Sequence, residues 1–86
     1  MGSPRARIIY TGQVQGVGFR YTARSLARGF AVTGSVRNLS DGTVELEAQG
    51  NKSEVESLLE GLQSEMSHYI NDAAVTWIES VANAWA

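Results

Sequence analysis

Between Gly12 and Arg20 the chain reads GQVQGVGFR, with glycines two residues apart and an arginine two residues beyond them. Gly16 and Gly18 can take positive φ and carry no side chain to obstruct a ligand, so consecutive backbone N–H groups can turn toward one point. The apolar spacing that starts at Phe19 predicts a helix opening at about Arg20, whose unpaired amides and positive dipole end aim at that same point. Arg20 adds a planar fork of donors matched to phosphate oxygens. This is a phosphate site in outline. Alone it is a weak signal, because a glycine-rich turn ahead of a helix is usually only a turn.

The elements that must position it follow from periodicity. Arg7 to Gln13 has the β-branched and aromatic content of a strand, with Ile8 and Tyr10 on one face and Arg7, Ile9 and Thr11 on the other. Phe19, Ala23, Leu26, Ala27 and Phe30 recur at three and four residues, a helical stripe, and Gly29 is read as its left-handed cap. Ala31 to Asn38 returns to period two, with Val32, Gly34 and Val36 sharing a face. Leu39 to Gly42 supplies turn residues, and Thr43 to Gln49 alternates Val44, Leu46 and Ala48 with Glu45, Glu47 and Gln49. Such alternation predicts one face buried and one in water.

Ser53-Glu54-Val55-Glu56 fits the capping-box pattern, and Val55, Leu58, Leu59, Leu62 and Met66 line one face of the helix it would open. His68 to Asp72 reads as irregular. Ala73 to Val81 reads as a last strand, with Val75 and Trp77 on one face and Ile78 out of phase, which suggests a bulge or burial on both sides. Asn83 to Ala86 reads as a tail. The order is β-α-β-β-α-β, the split arrangement of an α+β ferredoxin-like sandwich in which two helices cover one face of an antiparallel sheet.

Composition narrows the functional classes. The 86 residues suit one domain, expected over 1–86 with its core at about 7–81, and there is no cysteine for a disulfide or a thiolate. No apolar run approaches the ~20 residues of a membrane helix, and the N-terminus lacks the apolar core of a signal peptide, so a cytoplasmic protein with no membrane partner is expected. Net charge is −2, yet six of the seven Lys and Arg residues lie between Arg5 and Arg37 while every Asp and Glu lies from Asp41 onward. That asymmetry would draw a small anion toward the N-terminal half, with Arg24 and Arg37 adding to the local field. His68, the one histidine, has no second His or Cys beside it and reads as a surface residue, so no metal site is expected.

Topology adds what local pattern does not. A helix returns the chain between the first two strands, which therefore run parallel and end at the same edge of the sheet. One end leads into Gln15 to Phe19 and the other is Asn38, so a polar amide arrives beside the cradle from a distant part of the chain.

With these blocks in register the chain strongly resembles the acylphosphatase family. The matching residues are Gly12 to Arg20, then Gly34-Ser35-Val36-Arg37-Asn38, then Asp41-Gly42-Thr43-Val44-Glu45, and Gly50 before the second helix. The resemblance spans roughly Arg7 to Val81. It implies the same fold and cofactor-free hydrolysis of the carboxyl-phosphate bond of acyl phosphates. By position, Arg20 corresponds to the family's phosphate-binding arginine, Asn38 to its water-orienting asparagine, and the backbone of Gln15, Gly16, Val17, Gly18 and Phe19 to its phosphate loop. The sequence departs from the family around Ser67 to Tyr69, where a Gly-Pro pair is frequent, and after Val81, where many members continue into a further short strand, part of whose work is expected of Trp85. Both departures concern stability and edge closure more than chemistry.

The resemblance implies a small-molecule acyl phosphate as substrate and inorganic phosphate or another anion as a site ligand; a monomer is expected. An RNA-binding module on the same fold would carry exposed aromatics on its central strands. Here Glu45, Glu47 and Gln49 occupy the cleanest strand and would repel nucleic acid. A domain handling carbamoyl phosphate, as in hydrogenase maturation factors, is the other alternative, and its much longer chains speak against it.

Overall fold

Alternation at Ile8 and Tyr10, and at Val44, Leu46 and Ala48, demands a covered sheet face, and the computed structural model of this chain, which describes residues 4–79, supplies it. The elements are β1 (Pro4–Gly12), α1 (Phe19–Ala27), β2 (Val32–Asn38), β3 (Val44–Gly50), α2 (Lys52–Glu65) and β4 (Ile70–Glu79). The sheet order is β2-β3-β1-β4, with β3 antiparallel to both β1 and β2. It follows that β1 and β2 are parallel without touching, and that their C-terminal ends meet at one edge. This is the ferredoxin-like βαββαβ arrangement.

The core joins Ile8 and Tyr10 of β1 and Val44 and Leu46 of β3 to Phe19 and Ala23 of α1 and to Val55, Leu58 and Leu62 of α2. Each fully buried aliphatic side chain contributes roughly 1.5–3 kcal/mol relative to exposure. Burial therefore anchors the first turn of α1, and with it the residues that follow Gly18.

Several local expectations are corrected. Gly29 is not a left-handed cap: α1 stops earlier, its C-cap Arg28 is right-handed at φ −63°, and Gly29 keeps ordinary φ while its N–H bonds the Leu26 carbonyl at 3.0 Å. The capping box does not form either. Ser53 lies inside α2, whose N-cap is Asn51 with no side-chain cap; Glu54 accepts the Ala31 N–H at 2.8 Å, tying α2 to the entry of β2. β4 begins at Ile70, inside the stretch read as irregular, and its ladder shifts where Gly12 faces Ile70 and Thr11 faces Asp72. The irregularity thus lies at the start of the strand, not at Ile78. Gly12 is required there, since a Cβ at its φ of +134° would run into the Tyr69 carbonyl. Val75 and Trp77 do share a face, but at the sheet edge they stay 45% and 38% exposed. Val81, Trp85 and the tail lie outside the described residues.

The helix-free face also departs from a simple solvated strand. Glu45 is buried there under two arginines, with Arg7 Nε at 2.5 Å from Oε2 and Arg37 Nε at 2.7 Å from Oε1. Arg37 is thereby committed to the face opposite the helices.

Candidate active site

At the sheet edge where β1 and β2 both end, the chain leaves β1 at Gly12 and reaches α1 through a loop with two left-handed glycines, Gly16 at φ +78° and Gly18 at φ +80°. Nothing lies within 4 Å of a Cβ placed on either, so these glycines are selected by backbone angle alone. Gly18 is the N-cap of α1 and offers no side chain to its amides. The first N–H returned to the ladder is that of Thr22, on the Gly18 carbonyl at 2.9 Å. Among the described residues the N–H groups from Gly16 to Tyr21 donate to no protein acceptor. A run of unspent donors at a helix N-terminus is an anion nest.

Two side chains hold this loop in place. Phe19 is buried with its ring 4.9 Å from that of Tyr10, which pins the first helical residue over β1. Burial pushes the Tyr10 hydroxyl well above its ordinary pKa, so Tyr10 acts as neutral packing. Gln15 turns away from the nest, and its Nε2 donates to the Leu39 carbonyl at 2.8 Å and the Thr43 carbonyl at 2.9 Å. Both acceptors belong to the turn after Asn38. That turn is itself closed by Leu39 N–H on the Thr43 carbonyl and by Asp41 Oδ1, which accepts the Thr43 N–H at 3.0 Å and its hydroxyl at 2.6 Å. These bonds hold the Asp41 carboxyl below the usual carboxylate range.

The outcome is one open pocket of about 230 Å³, with Gly16, Gly18 and Phe19 from the loop and helix start, Arg20 from α1, and Asn38 from the end of β2. Arg20 and Asn38, 18 positions apart in the chain, thus share a cavity, both exposed to solvent. Gln15 and Val17 lie in the loop but do not line the cavity itself. Sequence reasoning passed over Tyr21 and gave Arg24 only a place in the local field, yet both line the pocket. Arg24 had a readable signal, being four residues beyond Arg20 and so on the same side of the helix. Arg37, expected to strengthen the same field, points into the opposite face instead. Two guanidiniums and no carboxylate among the lining residues make the pocket a receptor for a small anion. The arrangement can bind a phosphoryl group by backbone amides and an arginine and set a neutral amide beside it.

A family model described as acylphosphatase matches residues 6–84. Among curated relatives, an acylphosphatase of Bifidobacterium longum (strain NCC 2705) is 52% identical over 69 residues, which is 74% of this chain and 71% of that protein. Among solved structures, an acylphosphatase from Bacillus subtilis superposes with a TM-score of 0.81 at 33% identity, over 92% of this chain and 89% of that one. Full-length HypF, in a phosphate- and nucleotide-bound form, gives a TM-score of 0.73 at 27% identity, over 95% of this chain and 11% of that one.

Proposed function

The chain belongs to the acylphosphatase family, hydrolases of the carboxyl-phosphate bond, and from that premise we propose that Arg20, Asn38 and the amides of the Gln15–Phe19 loop carry the reaction here, without a metal. The observation that carries this reading is the pocket in which Arg20 and Asn38 meet above an unspent run of N–H groups. The substrate is a small-molecule acyl phosphate, its phosphoryl group held by the loop amides and the Arg20 fork. The domain acts as a single unit and as a monomer.

Phosphoryl transfer asks mainly for positioning and for charge on the equatorial oxygens. Asn38 holds a water in line with the scissile bond. The water oxygen bonds to phosphorus while the bond from phosphorus to the acyl oxygen breaks, and that electron pair leaves on the carboxylate. The water's proton passes to a phosphoryl oxygen of the substrate. A carboxylate departs without protonation at neutral pH, so the reaction needs no protein acid. Arg20 and the helix N-terminus offset the negative charge that the transferring group carries.

The deciding experiment is hydrolysis of benzoyl phosphate by wild type and Asn38→Ala, with and without a chelator. Wild-type turnover that is indifferent to EDTA, and a loss on the order of 10²–10³ in kcat in the variant with the fold intact, is the expected result. Full turnover in Asn38→Ala returns Asn38 to a turn residue, and turnover lost to EDTA and restored by metal removes the metal-free mechanism.

A further inference from the structure

Below the anion pocket the space between α1 and the sheet edge does not close. A second cavity, of about 160 Å³, runs under α1 between Ala23 and Ala27 on the helix and Val32, Gly34 and Val36 on β2, floored by Leu46 and Leu58. Arg24 lines both cavities, so they share a wall. Their geometry is continuous along both elements. Asn38, Val36, Gly34 and Val32 are two apart and lie on one face of β2, while Arg20, Arg24 and Ala27 follow one side of α1. The strand rise from Asn38 to Val36 is about 7 Å, within reach of a short acyl chain whose phosphoryl end sits in the upper pocket.

The lower cavity differs from the upper in chemistry. Its walls are mainly aliphatic, where the upper pocket is built of amides and guanidiniums. Its size matters too, because an apolar cavity of about 150 Å³ is enough to take up a benzene ring. Gly34 contributes no side chain to this wall, and a Cβ there would be directed at the Glu47 carbonyl of β3.

The geometry points to this cavity as the acyl subsite, selecting acyl phosphates whose acyl group is an aromatic ring or an aliphatic chain of about six carbons over those with a short one. The inference rests on the acyl phosphate reading of the upper pocket. Arg24 stands at the junction, where the leaving carboxylate emerges, and its charge favours that product's position at the mouth of the apolar groove. Each methylene that enters the groove strengthens binding by up to about fourfold.

The test compares acetyl, butanoyl, hexanoyl and benzoyl phosphate as substrates of the full chain. The aliphatic leaving groups are nearly equal in acidity, so differences among them report the acyl contact and not intrinsic reactivity. From acetyl to hexanoyl phosphate, kcat/KM is expected to rise by about tenfold or more, mostly through KM. Ala27→Leu fills the lower cavity and is expected to cut the hexanoyl-to-acetyl ratio of kcat/KM by about tenfold. A flat wild-type series overturns the inference while leaving the hydrolase reading in place. Absence of turnover with every member overturns both. The wild-type series decides the matter even if Ala27→Leu fails to fold.

Discussion

Gln15 and Leu39 are joined across 24 residues of sequence: the Gln15 side-chain amide donates to the Leu39 carbonyl at 2.8 Å, and to that of Thr43 at 2.9 Å. The bond couples the anion-binding loop to the residue immediately after Asn38. It therefore sets the spacing between the phosphate cradle and the amide proposed to hold water. Gln15→Leu keeps most of the volume and loses both donors, and the loss of two part-buried bonds is expected to cost about 1–2 kcal/mol. Because the misplacement falls between cradle and Asn38, kcat should drop more than KM rises. Steady-state kinetics with a denaturation curve checks this, and an unchanged kcat at reduced stability would leave Gln15 a purely structural tie.

Arg20 lies in the first turn of α1, where its guanidinium and the free amides address the same pocket. Arg20→Lys retains the charge but replaces a planar fork with a point donor. Loss of one positioned charge-assisted donor predicts a fall in kcat/KM on the order of 10²–10³, with weaker competitive inhibition by inorganic phosphate. Kinetics comparable to wild type would transfer the role to Arg24.

Two glycines distinguish strain from collision. Gly18→Ala has free space for its methyl but must hold φ near +80°, so the expected cost is about 1–2 kcal/mol of backbone strain together with a raised KM from misdirected amides. Gly34→Ala keeps ordinary backbone angles, yet its methyl meets the Glu47 carbonyl within the β2–β3 ladder. Displacing that strand also displaces Asn38 at its end, so Gly34→Ala should lose stability and kcat together. Thermal denaturation beside kinetics separates the cases, and equal behaviour of the two variants would contradict the geometry.

The sequence made the strands and their faces legible because alternation is a direct record of burial, as at Val44, Leu46 and Ala48. It also brought Asn38 to Arg20, since a βαβ crossover fixes which strand ends coincide. Whatever depended on contacts between distant segments stayed hidden. Ser53 and Glu56 looked like a capping box although α2 starts earlier, on Asn51, and Gly29 looked like a cap although α1 had already ended; nothing local to Glu54 marks its bond to the Ala31 amide. The side chain of Gln15 carries no local mark of its bond to the β2–β3 turn. Likewise Glu45 reads as one more solvated acid, and only the register of three strands shows two arginines converging on it.

That convergence makes stability depend on pH. The Arg7 guanidinium first, then that of Arg37, holds the Glu45 carboxyl below the usual carboxylate range. A carboxyl whose pKa is lower folded than unfolded binds fewer protons in the folded state, so its contribution is complete above the unfolded value of about 4.3 and is lost as pH falls through the folded one. Glu45 bridges β1 and β2 through β3, so protonation loosens the strand that carries Asn38 as well as the sheet. Glu45→Gln should lower Tm at pH 7 by a few degrees and flatten the fall of Tm on acidification. Wild type and variant should then converge at the acid end, where both side chains are neutral. Tm curves that stay parallel from neutral pH into acid would show that the two arginines do nothing for Glu45 in the folded state that water does not do in the unfolded one.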